Sequence, residues 1–190
     1  FEQQINDGIH PGAQLCVRVK NHTVFNRFGG FAITPTTRMQ LDTKNLLFSS
    51  TKPIGATATM MLVEERYLDL DKPLIHYWPA FSKGDSRKKT VTVRHVLSHQ
   101  GGFPNGPDDF NYEDFNDPAA AMHAMERVKL TFEPGSKFQY HPINYGWALG
   151  ELIRRTSGMP VERFVKENIF DPLGCINASI GVPENELDEI

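Results

Sequence analysis

Two segments near the N-terminus alternate apolar and polar side chains, which is the pattern of β-strands. They run from Ala13 to Val19 and from Thr23 to Phe28, and a polar run at 20–22 separates them. Alternation with a period of two, interrupted by a short polar turn, is typical of two antiparallel strands joined as a hairpin. We therefore predict a β-hairpin that ends at the following Gly-Gly pair.

Apolar residues then recur at helical spacing. From Ile54 to Leu62 the chain is rich in Ala, Thr and Met, and the pattern ends near Arg66, which predicts a buried helix. Pro53 is compatible with a helix start close to Ser50, because the first amides of a helix have no acceptor within the helix. Similar patterns predict four more helices, over Val91 to Ser98, Pro118 to Val128, Asn144 to Thr156 (ended by Gly158) and Val161 to Asn168.

Length and charge narrow the class of protein. The chain has 190 residues, 39% of them hydrophobic, which suffices for one sizeable core, so we predict a single domain over residues 1–190. The net charge is -3, and no basic run is longer than the one at 87–89. This charge argues against nucleic acid or an anionic membrane as partner and favours a small neutral or mixed-charge substrate.

The sequence says less about the compartment of the protein and the redox state of its cysteines. No apolar stretch reaches the ~20 residues that span a bilayer, so we expect no transmembrane segment. The chain shows no export signal, so we expect a soluble protein and leave its compartment and oligomeric state open. Phe1 in place of Met suggests a processed or partial chain. Cys16 and Cys175 stand at no metal-ligand spacing, and two free thiols are favoured over a disulfide.

Ser49 and Lys52 are the residues that best suggest chemistry. They stand three positions apart where a loop or strand gives way to the first predicted helix, so both side chains can face one cleft. Serine is a poor nucleophile at its own pKa, but a neighbouring amine can accept its proton. The spacing alone is a weak signal, because a chain of this length should contain such a pair about once by chance.

Several further motifs follow in a fixed order along nearly the whole chain. They are His10-Pro11-Gly12-Ala13, Leu68-Asp69-Leu70-Asp71, Val96-Leu97-Ser98-His99-Gln100-Gly101-Gly102, Pro134-Gly135-Ser136-Lys137-Phe138-Gln139-Tyr140, Leu149-Gly150-Glu151-Leu152-Ile153 and Ile169-Phe170-Asp171-Pro172-Leu173-Gly174. Together with Ser49 and Lys52, this series resembles the serine β-lactamase and penicillin-binding superfamily. It is most similar to the branch that contains class C β-lactamases, D-alanyl-D-alanine carboxypeptidases and β-lactamase-like esterases.

The resemblance implies a fold and three catalytic residues. The fold would be α+β, of the β-lactamase/transpeptidase type, with an antiparallel sheet and a helical region. Ser49 would be the acylated nucleophile, Lys52 its proton acceptor or relay, and Tyr140 the group that moves a proton between nucleophile and leaving group. A tyrosine of ordinary pKa about 10 can act as a base near neutral pH only if positive charge stabilises its phenolate, and Lys52 is placed to supply that charge. No cofactor is expected.

The chain departs from the family pattern after Tyr140. The family usually places an asparagine two residues on, where its side chain contacts the substrate's amide and the lysine, whereas this chain has Pro142. Either Asn144 reaches the same space or the contact is absent. We read the change as favouring ester over amide hydrolysis, because an ester lacks the amide that such a contact would recognise. His141 is a candidate substrate contact or an orienting or exposed histidine.

Aromatic residues follow the Gly-Gly pair at 101–102. Phe103 and Tyr112, with Phe110 and Phe115, either line the cleft as an apolar substrate-binding wall or pin the loop to the core. His99, just before the two glycines, is assigned to loop packing. The acidic residues nearby have no recognised metal-binding spacing, so we expect no metal.

One family motif has no counterpart in this chain. Members carry a lysine or histidine with a glycine on a C-terminal edge strand, which ordinarily supplies one of two oxyanion-hole amides beside that of Ser49, and nothing after Gly174 resembles it. We therefore expect the 190 residues to be the N-terminal part of a longer domain, lacking its C-terminal strands and weakly active or inactive alone. The sequence then favours a carboxylesterase-type serine hydrolase. The alternatives are a noncatalytic binding module of this fold, or a β-lactamase or D-alanyl-D-alanine carboxypeptidase.

Overall fold

The chain divides into two compact units. The computed structural model describes residues 1–33, 35–106, 117–182 and 187. One unit consists of Phe1–Leu46 with Gly181–Ile190, and the other consists of Leu47–Ile180. Ser49, Lys52 and Tyr140 all belong to the second unit, so the candidate site can be described within it alone.

The first unit is a small antiparallel sheet preceded by a short helix. The elements are α1 (Glu2–Asn6), β1 (Gly12–Val19), β2 (His22–Ile33) and β3 (Thr37–Arg38), and the strand order is β1-β2-β3. Lys20 and Asn21 join β1 to β2 with φ angles of 47° and 65°, so both lie in the left-handed region that two-residue hairpin turns require. The predicted hairpin is confirmed, and β2 is longer than predicted.

The sheet leaves many apolar side chains exposed. Among the described residues β1 pairs only with β2, and its residues from Gln14 to Val19 are all exposed. The exposed apolar side chains of β1 and β2 are Leu15, Val17, Val19, Val24, Phe28 and Ile33. Among the described residues, β1 is therefore an edge strand with apolar side chains exposed.

The second unit is helical. Its helices are α2 (Lys52–Glu64), α3 (Val93–Leu97), α4 (Pro118–Arg127), α5 (Asn144–Ser157) and α6 (Val161–Val165), and α6 continues as a π-helix over Lys166–Phe170. Each predicted helix is present with ends within two or three residues of the prediction. Gly158 ends α5 with a φ of 75°, as predicted, because glycine adopts the left-handed conformation without a steric penalty.

The core of this unit surrounds α5. This helix packs against α2, α3, α4 and α6, and it buries Leu149, Leu152 and Ile153 completely or nearly so. Trp78 and Phe81, from the segment between α2 and α3, are also fully buried. The core therefore holds α2 and α5, and Ser49, Lys52 and Tyr140 lie at or shortly before the N-terminal ends of these helices.

Three further findings bear on the sequence predictions. No helix among the described residues is long and apolar enough to cross a membrane. Cys16 and Cys175 are free and exposed. Within the same residues, no group of three or more His, Cys, Asp and Glu side chains is arranged to hold a metal ion.

Candidate active site

Ser49 lies in a tight turn that leads directly into α2. The turn is a 3-10 helix over Phe48–Thr51, and α2 begins at Lys52. Phe48 has a left-handed φ of 46°, which is uncommon for a bulky residue. Because the turn and the helix are continuous, residues three apart lie on the same side, and Lys52 Nζ donates a hydrogen bond of 3.1 Å to Ser49 Oγ.

Tyr140 reaches the same serine from the segment before α5. Its Oη donates to Ser49 Oγ at 2.6 Å, and Lys52 Nζ lies 4.8 Å from the centre of its ring. The Lys52 ammonium, followed by the contact with Ser49, lowers the pKa of Tyr140 below its usual value of 10.0. Both groups are hydroxyls, so the direction of the bond reverses when the phenol ionises. The structure thus brings the three predicted catalytic side chains together.

Lys52 has a second acceptor in the residue that breaks the family pattern. Lys52 Nζ donates to the backbone carbonyl of Pro142 at 2.8 Å. A proline has no amide hydrogen to donate but keeps its carbonyl, so it can replace an asparagine as acceptor for the lysine. It cannot replace the asparagine as a donor to substrate. This acceptor was missed in the sequence because it belongs to the backbone and not to a side chain.

Asn144 does not take the asparagine's place. Its side chain is 1% exposed, and its Nδ2 donates to the carbonyls of Phe103 and Asn105 at 2.7 and 2.8 Å. Of the two alternatives, this burial favours the one in which the asparagine contact with substrate is absent. Its position in the first turn of α5 directs it into the core, where it holds the loop that follows the Gly-Gly pair.

His141 and Phe103 are also buried. Phe103 is fully buried against Phe81 and His141, so of the two alternatives it pins the loop to the core and does not line a cleft. His141 is 2% exposed, and its Nε2 accepts a hydrogen bond from the Phe103 amide at 3.1 Å. Burial lowers the pKa of His141 to about 4. Of the readings left open for His141, its burial excludes an exposed histidine and fits an orienting one.

The other predicted aromatic contacts cannot be placed. Tyr112, Phe110 and Phe115 lie outside the described residues. Three apolar residues near the predicted catalytic residues in sequence were not selected and are exposed: Phe48 is 82% exposed, Phe138 65% and Ile143 46%. The available signal in the sequence was proximity, since Phe48 precedes Ser49 and Phe138 and Ile143 lie close to Tyr140.

A cavity of this unit lies away from these residues. It measures about 570 Å³, and Arg66, Asp69, Lys72, His76 and Arg94 are among the residues that line it. These residues follow the C-terminal end of α2, whereas Ser49 and Lys52 are at its N-terminal end. None of the three predicted catalytic residues lines this cavity.

Comparison with known proteins identifies the family of the chain. A model of the beta-lactamase family matches residues 1–189, and the chain belongs to this family. It is 31% identical over 145 residues to the esterase/beta-lactamase LipL of Mycobacterium tuberculosis, which covers 75% of this chain and 32% of that protein.

Two solved structures show the same fold over nearly the whole chain. A penicillin-binding protein homologue from Caulobacter crescentus has a TM-score of 0.89 and 33% identity, covering 99% of this chain and 50% of that one. A family VIII carboxylesterase has a TM-score of 0.90 and 29% identity, covering 99% of this chain and 52% of that one. The fold is thus of the β-lactamase/transpeptidase type, and the chain spans about half the length of these relatives or less.

Proposed function

We propose that the protein is a serine hydrolase that forms an acyl-enzyme on Ser49, and that its substrates are carboxylic esters. The observation that carries the proposal is the convergence of two groups on one hydroxyl oxygen. Ser49 Oγ lies 2.6 Å from Tyr140 Oη and 3.1 Å from Lys52 Nζ. A serine held between a proton acceptor and a cation is the arrangement that nucleophilic catalysis needs.

In the proposed reaction, ionised Tyr140 removes the proton of Ser49 while Oγ attacks the ester carbonyl carbon. The tetrahedral intermediate collapses, the bond to the alcohol oxygen breaks, and the alcohol leaves with the proton that Tyr140 held. A water molecule then attacks the acyl-Ser49 ester by the same proton transfers and releases the carboxylic acid. Lys52 stabilises the phenolate throughout, which is consistent with the lowered pKa of Tyr140.

Two features support an ester over an amide. Pro142 offers only a carbonyl, and Lys52 already occupies it, so this position has no donor for a substrate amide. The exposed side chains of Phe48, Phe138 and Ile143 flank the catalytic residues in sequence and suit an apolar acyl or alcohol group. The solved relative is named a family VIII carboxylesterase, and the name of LipL gives both esterase and beta-lactamase.

The test compares three substrates on one protein. Full-length enzyme is assayed with p-nitrophenyl butyrate, the matching p-nitroanilide and a chromogenic β-lactam. We expect turnover of the ester, and at least about 10²-fold less of the other two, because the site lacks the donor for an amide. Ser49→Ala should abolish turnover, whereas Ser50→Ala, which removes the neighbouring hydroxyl, should leave it unchanged.

Two outcomes would contradict the proposal. Equal turnover of anilide and ester would refute the substrate class while leaving the serine hydrolase intact. Turnover that survives Ser49→Ala, or no turnover of any substrate by a folded protein, would refute the nucleophile itself.

A further inference from the structure

His99 stands behind the catalytic residues in an unusual backbone conformation. Its φ is 58°, in the left-handed region where residues other than glycine pay a conformational cost of about 1–2 kcal/mol. Asparagine, aspartate and histidine are the residues that adopt this region most readily after glycine. A conformation of this kind persists only when the surrounding contacts hold it.

Those contacts come from the segment that carries Tyr140. The Gln139 amide donates to the carbonyl of His99 at 3.0 Å, and the His141 amide donates to His99 Nδ1 at 3.1 Å. His99 therefore accepts both amides on either side of Tyr140, one with its backbone and one with its side chain.

The imidazole also fills the space next to the tyrosine. Its ring centre lies 4.9 Å from that of Tyr140 and 4.8 Å from that of Tyr145 in α5. The imidazole thus lies close to both rings, and without it Tyr140 would lose this contact.

The segment 139–142 delivers two groups to the site at once. Tyr140 Oη meets Ser49 Oγ, and the Pro142 carbonyl meets Lys52 Nζ. A shift of the segment would therefore break both contacts together. We propose that His99 is a positioning residue that holds segment 139–142 so that Tyr140 and Pro142 meet Ser49 and Lys52, an inference that rests on the proposed function for its effect on turnover.

This role requires a neutral imidazole. Nδ1 accepts a hydrogen bond, so the proton of neutral His99 is on Nε2, and a second proton on Nδ1 would remove the acceptor. The groups that face the ring are Lys52 from α2, Tyr140 and His141 from the segment, and Tyr145 from α5. Burial, with the charge of Lys52, lowers the pKa of His99 below 6.5. The hydrogen bond is thus intact at neutral pH and breaks on acidification.

Two substitutions of His99 distinguish the effect of its hydrogen-bond acceptor from the effect of its left-handed backbone conformation. Both His99→Asn and His99→Gly tolerate a left-handed φ, but only asparagine offers an acceptor close to the position of Nδ1. We expect the glycine variant to lose about 30-fold or more in kcat for p-nitrophenyl butyrate with KM changed less than about threefold, since proton transfer contributes about 10²–10⁴-fold. The asparagine variant should stay within about fivefold of wild type, because it keeps the acceptor and proton transfer through Tyr140 is then preserved.

A second readout does not depend on turnover. Ultraviolet titration of the phenol, taken as the difference from Tyr140→Phe, reports the pKa of Tyr140 in full-length protein. We expect this pKa to rise toward 10.0 in His99→Gly, as the tyrosine leaves Lys52, and to stay low in His99→Asn. The pH profile of wild-type turnover should also show a decrease on acidification, caused by protonation of His99. The profile of His99→Asn should lack this decrease.

The outcomes separate this inference from the proposed function. If both variants lose activity equally, or the Tyr140 titration is unchanged in His99→Gly, His99 only fills space and the inference is wrong. If wild type hydrolyses no ester but the titration responds as expected, the positioning role holds and the proposed function fails.

Discussion

Lys88 is a fully buried lysine, and its burial has a measurable effect on stability. Its Nζ donates to the carbonyls of Met125 and Glu126 at 2.6 and 3.1 Å, at the C-terminal end of α4, and lies 4.1 Å from the ring centre of Phe81. Burial lowers the pKa of Lys88 from 10.5 to about 8, although Asp85 and Glu126 act in the opposite direction.

The magnitude follows from linkage between protonation and folding. A fall from 10.5 to about 8 corresponds to about 3 kcal/mol, at 1.36 kcal/mol per pKa unit. Between these two pH values the unfolded chain binds the proton and the folded chain does not, so the free energy of unfolding rises with pH. Lys88 therefore destabilises the fold below about pH 8 and ceases to do so by about pH 10.5. The neutral amine keeps two N–H donors, enough for both carbonyls.

The assay is urea unfolding of wild type and Lys88→Met at several values of pH. Other groups titrate in the same window, so the informative quantity is the difference in unfolding free energy between the two proteins. We expect wild type to gain about 2–3 kcal/mol relative to the variant from neutral pH to about pH 10.5. Lys89→Met, which removes the exposed neighbouring lysine, should leave the pH dependence as in wild type.

The result that would refute this reasoning is a pair of parallel stability curves. If the difference between wild type and Lys88→Met stays constant within about 0.5 kcal/mol over this range, Lys88 keeps an ordinary affinity for its proton. Its burial would then carry no electrostatic cost.

Three further predictions test the site and the loops behind it. Tyr140→Phe should lower kcat about 10²–10³-fold in the ester assay. Wild-type turnover should rise with pH to a midpoint below 10.0, because the lowered pKa of Tyr140 increases the phenolate fraction. The same rise in Tyr140→Phe would contradict the role of Tyr140 as the base. Asn144→Leu should destabilise by about 1–3 kcal/mol in urea, because it leaves two carbonyls without their donor; an unchanged unfolding midpoint would contradict it. Gly102→Ala should destabilise the protein by about 1–3 kcal/mol, because φ is 91° and an added Cβ would lie 2.5 Å from the Phe132 carbonyl oxygen. As a control, Gly146→Ala in α5 should be neutral or stabilising, because nothing lies within 4 Å of its added Cβ.

Local patterns in the sequence were sufficient for the elements of the fold. The alternation of apolar and polar residues predicted β1 and β2, and the position of Gly158 predicted the end of α5. The helix predicted over 91–98 begins later, because Thr92 is extended and its side chain accepts from the His95 amide as the cap of α3. A cap of this kind shifts the start of a helix by one or two residues relative to its apolar pattern.

Only those groups of the candidate site that belong to side chains could be predicted from the sequence. Ser49, Lys52 and Tyr140 follow from spacing and family resemblance, and the structure brings them together. The role of the Pro142 carbonyl did not follow, because every residue has a carbonyl and only the fold selects one. The burial of Asn144 and His141 did not follow for a related reason, since polar residues next to a catalytic motif can face the core when loop backbone needs hydrogen-bonding partners.

The most direct test of the central claim is to trap the nucleophile. Full-length protein is treated with a fluorophosphonate, digested, and analysed by tandem mass spectrometry to locate the adduct. We predict a single adduct on Ser49 that is lost in both Ser49→Ala and Lys52→Ala and retained in Ser50→Ala. An adduct on another residue, or none on protein shown to be folded, would contradict the proposal that Lys52 and Tyr140 activate Ser49.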